Sequence, residues 1–225
     1  MMGDLGALRY RERSAGAEPE GLLVLWHGRG ADEHDLFPLF DILDPDRRLR
    51  GFAPRGPLSL PPGGAHWYVV KRVGYPDPET FWPSLETAHI WLEGLEQETG
   101  IGMDRTIIGG FSQGAVMTYS VALERGRTQP AGLIGLSGFI PTVDRLDIDL
   151  DNRSGLHVAI GHGTYDPVIG VDFGRVARDR LRAAGADVLF RESSMPHSID
   201  PGFLGELASW VTERIGAMPD VTRPR

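Results

Sequence analysis

An α/β fold, with a mainly parallel central sheet and helices on both of its faces, is what this sequence predicts. Three observations carry that expectation. Short apolar runs occur without polar alternation, the pattern of strands covered on both faces. Amphipathic segments with three- and four-residue spacing lie between them. Two of the runs end in glycine-rich turns, at His27-Gly28-Arg29-Gly30 and at Gly109-Gly110. Strand-like and helix-like segments in alternation are the signature of a parallel sheet.

Leu22-Leu23-Val24-Leu25-Trp26 reads as the first buried strand. Pro54 to Pro78, rich in proline and glycine, interrupts the alternation and reads as a long loop bordering a functional site. Pro78 to Thr99 places Phe81, Leu85, Ala88, Trp91, Leu92 and Leu95 on one helical stripe, with Gly100 as its stop. Thr106-Ile107-Ile108 is the second strand, and the helical pattern Gln113 to Glu124 follows it. Gly132 to Leu136 and Leu156 to Ile160 read as further strands. A helix over Phe173 to Ala184, a strand over Asp187 to Phe190 and a helix over Pro201 to Ile215 complete the series. The 225 residues are expected to form one domain, with Pro219 to Arg225 as a flexible tail.

Composition narrows the function. At 41% hydrophobic and 24% charged residues the chain is globular rather than disordered. With no cysteine it has no disulfide, no iron–sulfur cluster, no thiolate zinc site and no cysteine nucleophile. A net charge of −8 without a Lys/Arg cluster predicts no nucleic-acid partner. The early apolar run Leu22 to Trp26 is far too short to span a bilayer, and Met1-Met2-Gly3-Asp4 opens no export signal. The expectation is a cytoplasmic protein without stable membrane insertion. Neither a phosphate-binding P-loop nor a dinucleotide-binding glycine motif occurs, so no cofactor is expected. Asp32-Glu33-His34-Asp35 is contiguous and lacks metal-ligand spacing; it reads as a solvated helix start, and no metal is expected.

The chemistry is concentrated at strand ends. Gly110-Phe111-Ser112-Gln113-Gly114 follows a strand and opens a helix. In that context G-x-S-x-G forms a sharp turn that lifts the serine out of the sheet. The serine also stands at a helix N-terminus, where backbone N–H groups face a developing anion. A hydroxyl nucleophile needs a base and an orienting acid. His197 lies between the last predicted strand and the last helix, and Asp166 follows the strand Leu156 to Ile160. The order Ser112, Asp166, His197 is the one expected for a serine nucleophile on such a sheet. Alone, His197 would be a surface-loop histidine and Asp166 a turn former before proline. An oxyanion needs two preformed donors. The N–H of Gln113 is one, and the loop His27 to Gly30 offers that of Arg29, although an ordinary tight turn accounts for the same loop. Trp67, Tyr68, Tyr75, Phe81 and Trp82 cluster around the long loop. Trp67, Tyr68 and Trp82 are the candidates for an aromatic substrate wall, whereas Phe81 fits the core.

Taken together, His27-Gly28-Arg29-Gly30-Ala31-Asp32, Gly110-Phe111-Ser112-Gln113-Gly114, His162-Gly163 with Asp166-Pro167-Val168, and Pro196-His197 resemble the carboxylesterase/phospholipase family. That family includes acyl-protein thioesterases, lysophospholipases and small bacterial carboxylesterases. The resemblance runs from about Leu22 to Trp210. It implies the α/β-hydrolase fold, a Ser112–His197–Asp166 triad, oxyanion donors at Arg29 and Gln113, a small-molecule acyl ester as substrate, and a possible homodimer. The sequence departs from the family pattern at Trp26, where an aliphatic residue is common, and at Arg29, which replaces a frequent apolar residue. The loop Pro54 to Pro78 carries Arg55, Lys71 and Arg72, which an apolar acyl groove would exclude. A short pocket follows, suited to acyl esters of roughly C2 to C6. Lysophospholipase or thioesterase activity is the alternative. A ligand-binding protein that keeps the scaffold without turnover is a third reading.

Overall fold

The computed structural model describes residues 2–5, 8–151 and 153–218; the expected tail Pro219 to Arg225 lies outside them. Its centre is an eight-stranded sheet. In spatial order the strands are β1 (Met2–Leu5), β2 (Leu8–Arg13), β4 (Leu49–Pro54), β3 (Gly21–Trp26), β9 (Thr106–Phe111), β10 (Gly132–Leu136), β11 (His157–Gly163) and β12 (Asp187–Ser193). From β4 to β12 every pairing is parallel; β1 and β2 add an antiparallel edge. The missing numbers are two small hairpins. The stretch expected as a loop folds into β5 (Leu58–Leu60) with β6 (Gly64–His66), and β7 (Val70–Arg72) with β8 (Tyr75–Pro76).

The period-two geometry of a strand divides its side chains between two cores. On β3, Leu22, Val24 and Trp26 face one cluster, and Leu23 and Leu25 face the other. Ile107 and Ile108 on β9 divide in the same way. Helices α2 (Pro78–Thr99), α3 (Gln113–Leu123) and α4 (Val171–Ala183) cover the first face. The short α1 (Leu39–Leu43) and α5 (Pro201–Ala217) cover the second. This is the α/β-hydrolase fold. The helices start and stop where the sequence chemistry directs. Pro78 stands in the first turn of α2, and Gly100 ends it at φ 69°. The Asp200 carboxylate accepts the Gly202 N–H at the start of α5. Among the described residues no helix is long and apolar enough to cross a membrane.

Trp26, Trp67 and Trp91 are fully buried, and Trp26 meets both of the others edge-on at 5.0 and 5.6 Å. Each aromatic ring of this size contributes about 4–6 kcal/mol of gross transfer free energy. This arrangement explains the tryptophan before His27: it is the centre of an aromatic cluster that anchors the Trp67 segment to the sheet. The Asp32–Asp35 segment is not a helix start. It is a turn in which Glu33 is buried and paired with Arg55 at 3.0 Å, because the guanidinium offsets the desolvation of its carboxylate.

Candidate active site

The carboxyl ends of β3, β9, β10, β11 and β12 lie side by side, and the chemistry of the chain gathers there. Ser112 joins β9 to α3 with φ 57° and ψ −118°, a conformation sparsely populated by residues with a Cβ. The turn is held from several sides. The Ser112 N–H donates to Leu136 O at 2.8 Å. Gly114 packs so closely on β3 that a Cβ there would lie 1.9 Å from Trp26 O. A Cβ on Gly110 would lie 2.4 Å from the Gly114 carbonyl carbon. Two of the motif's glycines are therefore required by close backbone approach.

His197 Nε2 lies 2.9 Å from Ser112 Oγ, and His197 Nδ1 lies 2.6 Å from Asp166 Oδ2. With the carboxylate on Nδ1, the proton belongs on Nδ1 and Nε2 is left to accept the serine O–H. The other Asp166 oxygen accepts the N–H groups of Val168 and Ile169 at 2.8 and 2.9 Å. The carboxylate is thereby fixed in orientation with its side chain fully buried. Phe111 packs its ring 4.8 Å from the imidazole. The structure thus brings Ser112, Asp166 and His197 into one hydrogen-bonded line across 85 residues of chain.

Gln113 is the first residue of α3, so its N–H has no intrahelical acceptor. In the His27 loop the Gly30 and Ala31 N–H groups are taken by Ala65 O and Gly28 O, whereas that of Arg29 is not. Arg29, Ser112 and Gln113 line one cavity of about 330 Å³ together with Tyr68, Val70, Arg72, Val73, Phe139, Val168 and Ile169. The side chain of Gln113 has a separate task. It accepts the Trp67 N–H at 3.0 Å and donates to Tyr68 O at 2.8 Å, tying the cavity wall to the serine turn.

Two residues expected on the substrate wall stand elsewhere. Trp67 is in the core, where Trp26 and His27 cover it and its indole N–H donates to His27 O. Trp82 lines a different surface cavity with Leu85, Glu86 and Ile90, and donates to Asp144 O. Only Tyr68 of the three faces the Ser112 cavity. The rest of the wall, above all Phe139, Val168 and Ile169, carried no local sequence signal. Val70, Arg72 and Val73 come from the loop expected to border the site, where Arg72 is expected to exclude an apolar groove.

Two buried histidines support the site from behind. His27 Nε2 accepts the Gly56 N–H at 2.9 Å, and His162 Nε2 lies 2.8 Å from Ile169 O. Burial holds both rings below the ordinary histidine range, because desolvation penalises the imidazolium. The unfolded rings bind protons below about pH 6.5 while the folded ones resist. Stability from these groups is therefore fully present above that pH and declines as pH falls below it. Thermal melts between about pH 7.5 and 5 should show a Tm that is level down to about pH 6.5 and falls below it. A flat or rising Tm over that range would contradict two neutral buried rings.

Comparisons with known proteins bear on the family and the fold. The family model described as Phospholipase/Carboxylesterase matches residues 13–215. The chain is 29% identical over 154 residues to acyl-protein thioesterase 1 of Candida albicans, covering 64% of this chain and 66% of that protein. The chain thus spans about two thirds of the length of that relative. Among solved structures, the carboxylesterase of Mesorhizobium loti superposes with a TM-score of 0.80 at 22% identity, covering 94% of this chain and 98% of its own. The carboxylesterase of Bacillus cereus superposes at 0.79, also at 22% identity, over 93% and 95% of the two chains.

Proposed function

The chain belongs to the phospholipase/carboxylesterase family, and from that footing we propose that it is a serine esterase acting on short acyl esters through Ser112, His197 and Asp166. The observation that carries this reading is the hydrogen-bonded line Asp166–His197–Ser112 emerging at a strained strand-to-helix turn. Ser112 Oγ attacks the ester carbonyl carbon while His197 Nε2 takes its proton. Asp166 holds the Nδ1–H and stabilises the imidazolium that forms. The backbone N–H groups of Arg29 and Gln113 meet the oxyanion of the tetrahedral intermediate. His197 returns the proton to the leaving alcohol, and water then cleaves the acyl-enzyme by the same steps.

The size of the cavity supports the short-chain reading. About 330 Å³ is at the small end of ligand sites, and the buried Tyr68, Phe139 and Ile169 form part of its wall. Each further methylene left in water forfeits about 0.8 kcal/mol of transfer free energy. The thioesterase reading is the second one, favoured by the named relative. Stoichiometric labelling of Ser112 by a fluorophosphonate tests the nucleophile. For chain length, kcat/KM is measured for nitrophenyl esters of increasing acyl length below their micelle concentration, beside the matching acyl thioesters. The expected optimum lies at roughly C2 to C6. An optimum at C10 or longer, or a thioester preference, selects the second reading. A folded, unlabelled and inactive protein overturns both.

A further inference from the structure

The chain is acidic overall, yet the charged residues lining the Ser112 cavity are Arg29 and Arg72, with no carboxylate in that lining. The cations near this face divide cleanly. Arg55 is engaged by Glu33 and by Gly63 O, and Lys71 by Asp77 at 2.6 Å. Elsewhere Arg50 bridges Glu12 and Glu98, and Arg175 bridges Glu192 and Asp172. Among the described residues, Arg29 and Arg72 are paired with no carboxylate and no carbonyl. Both are exposed at the cavity. Arg72 is nevertheless held, with its guanidinium carbon 3.6 Å above the Tyr75 ring. Stacking of this kind fixes the plane and leaves the N–H edges available. Two carboxylates stand close to this cavity and both are already engaged: Asp77 by Lys71, and Asp166, fully buried, by His197 and two backbone N–H groups.

Resting on the esterase reading above, we propose that the favoured substrates carry an anionic group, bound by Arg29 and Arg72 in the cavity beside Ser112. Guanidinium groups match the oxygens of a carboxylate or a phosphate by charge-assisted hydrogen bonds. An acyl tail placed there instead would have to desolvate both cations without replacing their water. The anion defines the chemical class. A carboxylate on the acyl side and a phosphate on the alcohol side present the same chemistry from two directions.

Two substrate pairs separate these sources: monomethyl against dimethyl glutarate, and monoacetylglycerol 3-phosphate against monoacetylglycerol. Acid release is followed by titration at low ionic strength, with Ser112→Ala as the blank. The anionic member of at least one pair should be favoured in kcat/KM by roughly 10- to 100-fold. That ratio should fall as salt screens the exposed arginines. In Arg72→Gln the ratio should fall by about tenfold, and Arg72→Lys should restore part of it. Equal or reversed ratios in both pairs, with Ser112-dependent turnover intact, overturn the inference and leave the esterase reading standing. A ratio unchanged in Arg72→Gln and insensitive to salt overturns it too. Absence of Ser112-dependent turnover of nitrophenyl acetate overturns the esterase reading itself.

Discussion

Replacing Ser112 with alanine is expected to lower kcat for ester hydrolysis by about four to six orders of magnitude while leaving the fold intact. In the proposed mechanism the loss is large because Oγ forms the covalent bond to the acyl group. Background turnover by the oxyanion donors alone remains, as is general when one member of such a unit is removed. Asp166→Asn should cost about three to four orders of magnitude for a different reason. The amide presents an N–H to the ring, which drives the proton to Nε2 and leaves His197 unable to accept from Ser112. Kinetics with a soluble nitrophenyl ester, alongside thermal melts, measure both effects. A Ser112→Ala protein with activity within tenfold of the parent would remove Ser112 from the chemistry.

The second large effect is on stability. Gly114→Ala places a methyl group 1.9 Å from Trp26 O and 2.8 Å from His27 O. Both acceptors belong to backbone, and Trp26 is locked in register opposite Gly110. The turn and β3 must therefore separate, at a cost of about 3 kcal/mol or more. A Tm lower by about 6–12 °C, or failure to fold, is expected. Gly205→Ala is the matched control. It lies exposed in α5, a Cβ there meets nothing within 4 Å, and a neutral or slightly stabilising change is expected. A Gly114→Ala protein that melts like the parent would contradict the close approach.

The parallel core was legible because strands buried on both faces read as unbroken apolar runs, and α2 was legible from its single stripe. The antiparallel edge was not. β2 reads Leu-Arg-Tyr-Arg-Glu-Arg, which looks like a charged surface segment. Arg13 is nevertheless buried, because Asp44 and the carbonyls of Phe40, Asp44 and Leu49 receive its guanidinium. β4 contains Gly51 and Pro54, both turn residues by habit. Gly51 is there because the Phe40 ring lies where a side chain would begin. At the site, the spacing of Ser112, Asp166 and His197 around predicted strands was enough to select them. The cavity wall was not selectable, since an aromatic near a site packs on the core as readily as on a ligand. Trp67 followed Trp26 into the interior for that reason.

Lys71 is the one lysine in the sequence, against 22 arginines. It stands exposed between Val70 and Arg72, two residues of the cavity wall, and its partner Asp77 keeps the ammonium protonated to higher pH than an ordinary lysine. Amine-directed reagents therefore meet a single side-chain target, and only under alkaline conditions. A fluorophore or surface tether attached there would have a single side-chain address, at the rim of the Ser112 cavity. It would report occupancy optically without an engineered handle, once the more acidic terminal amine has been blocked or labelled separately.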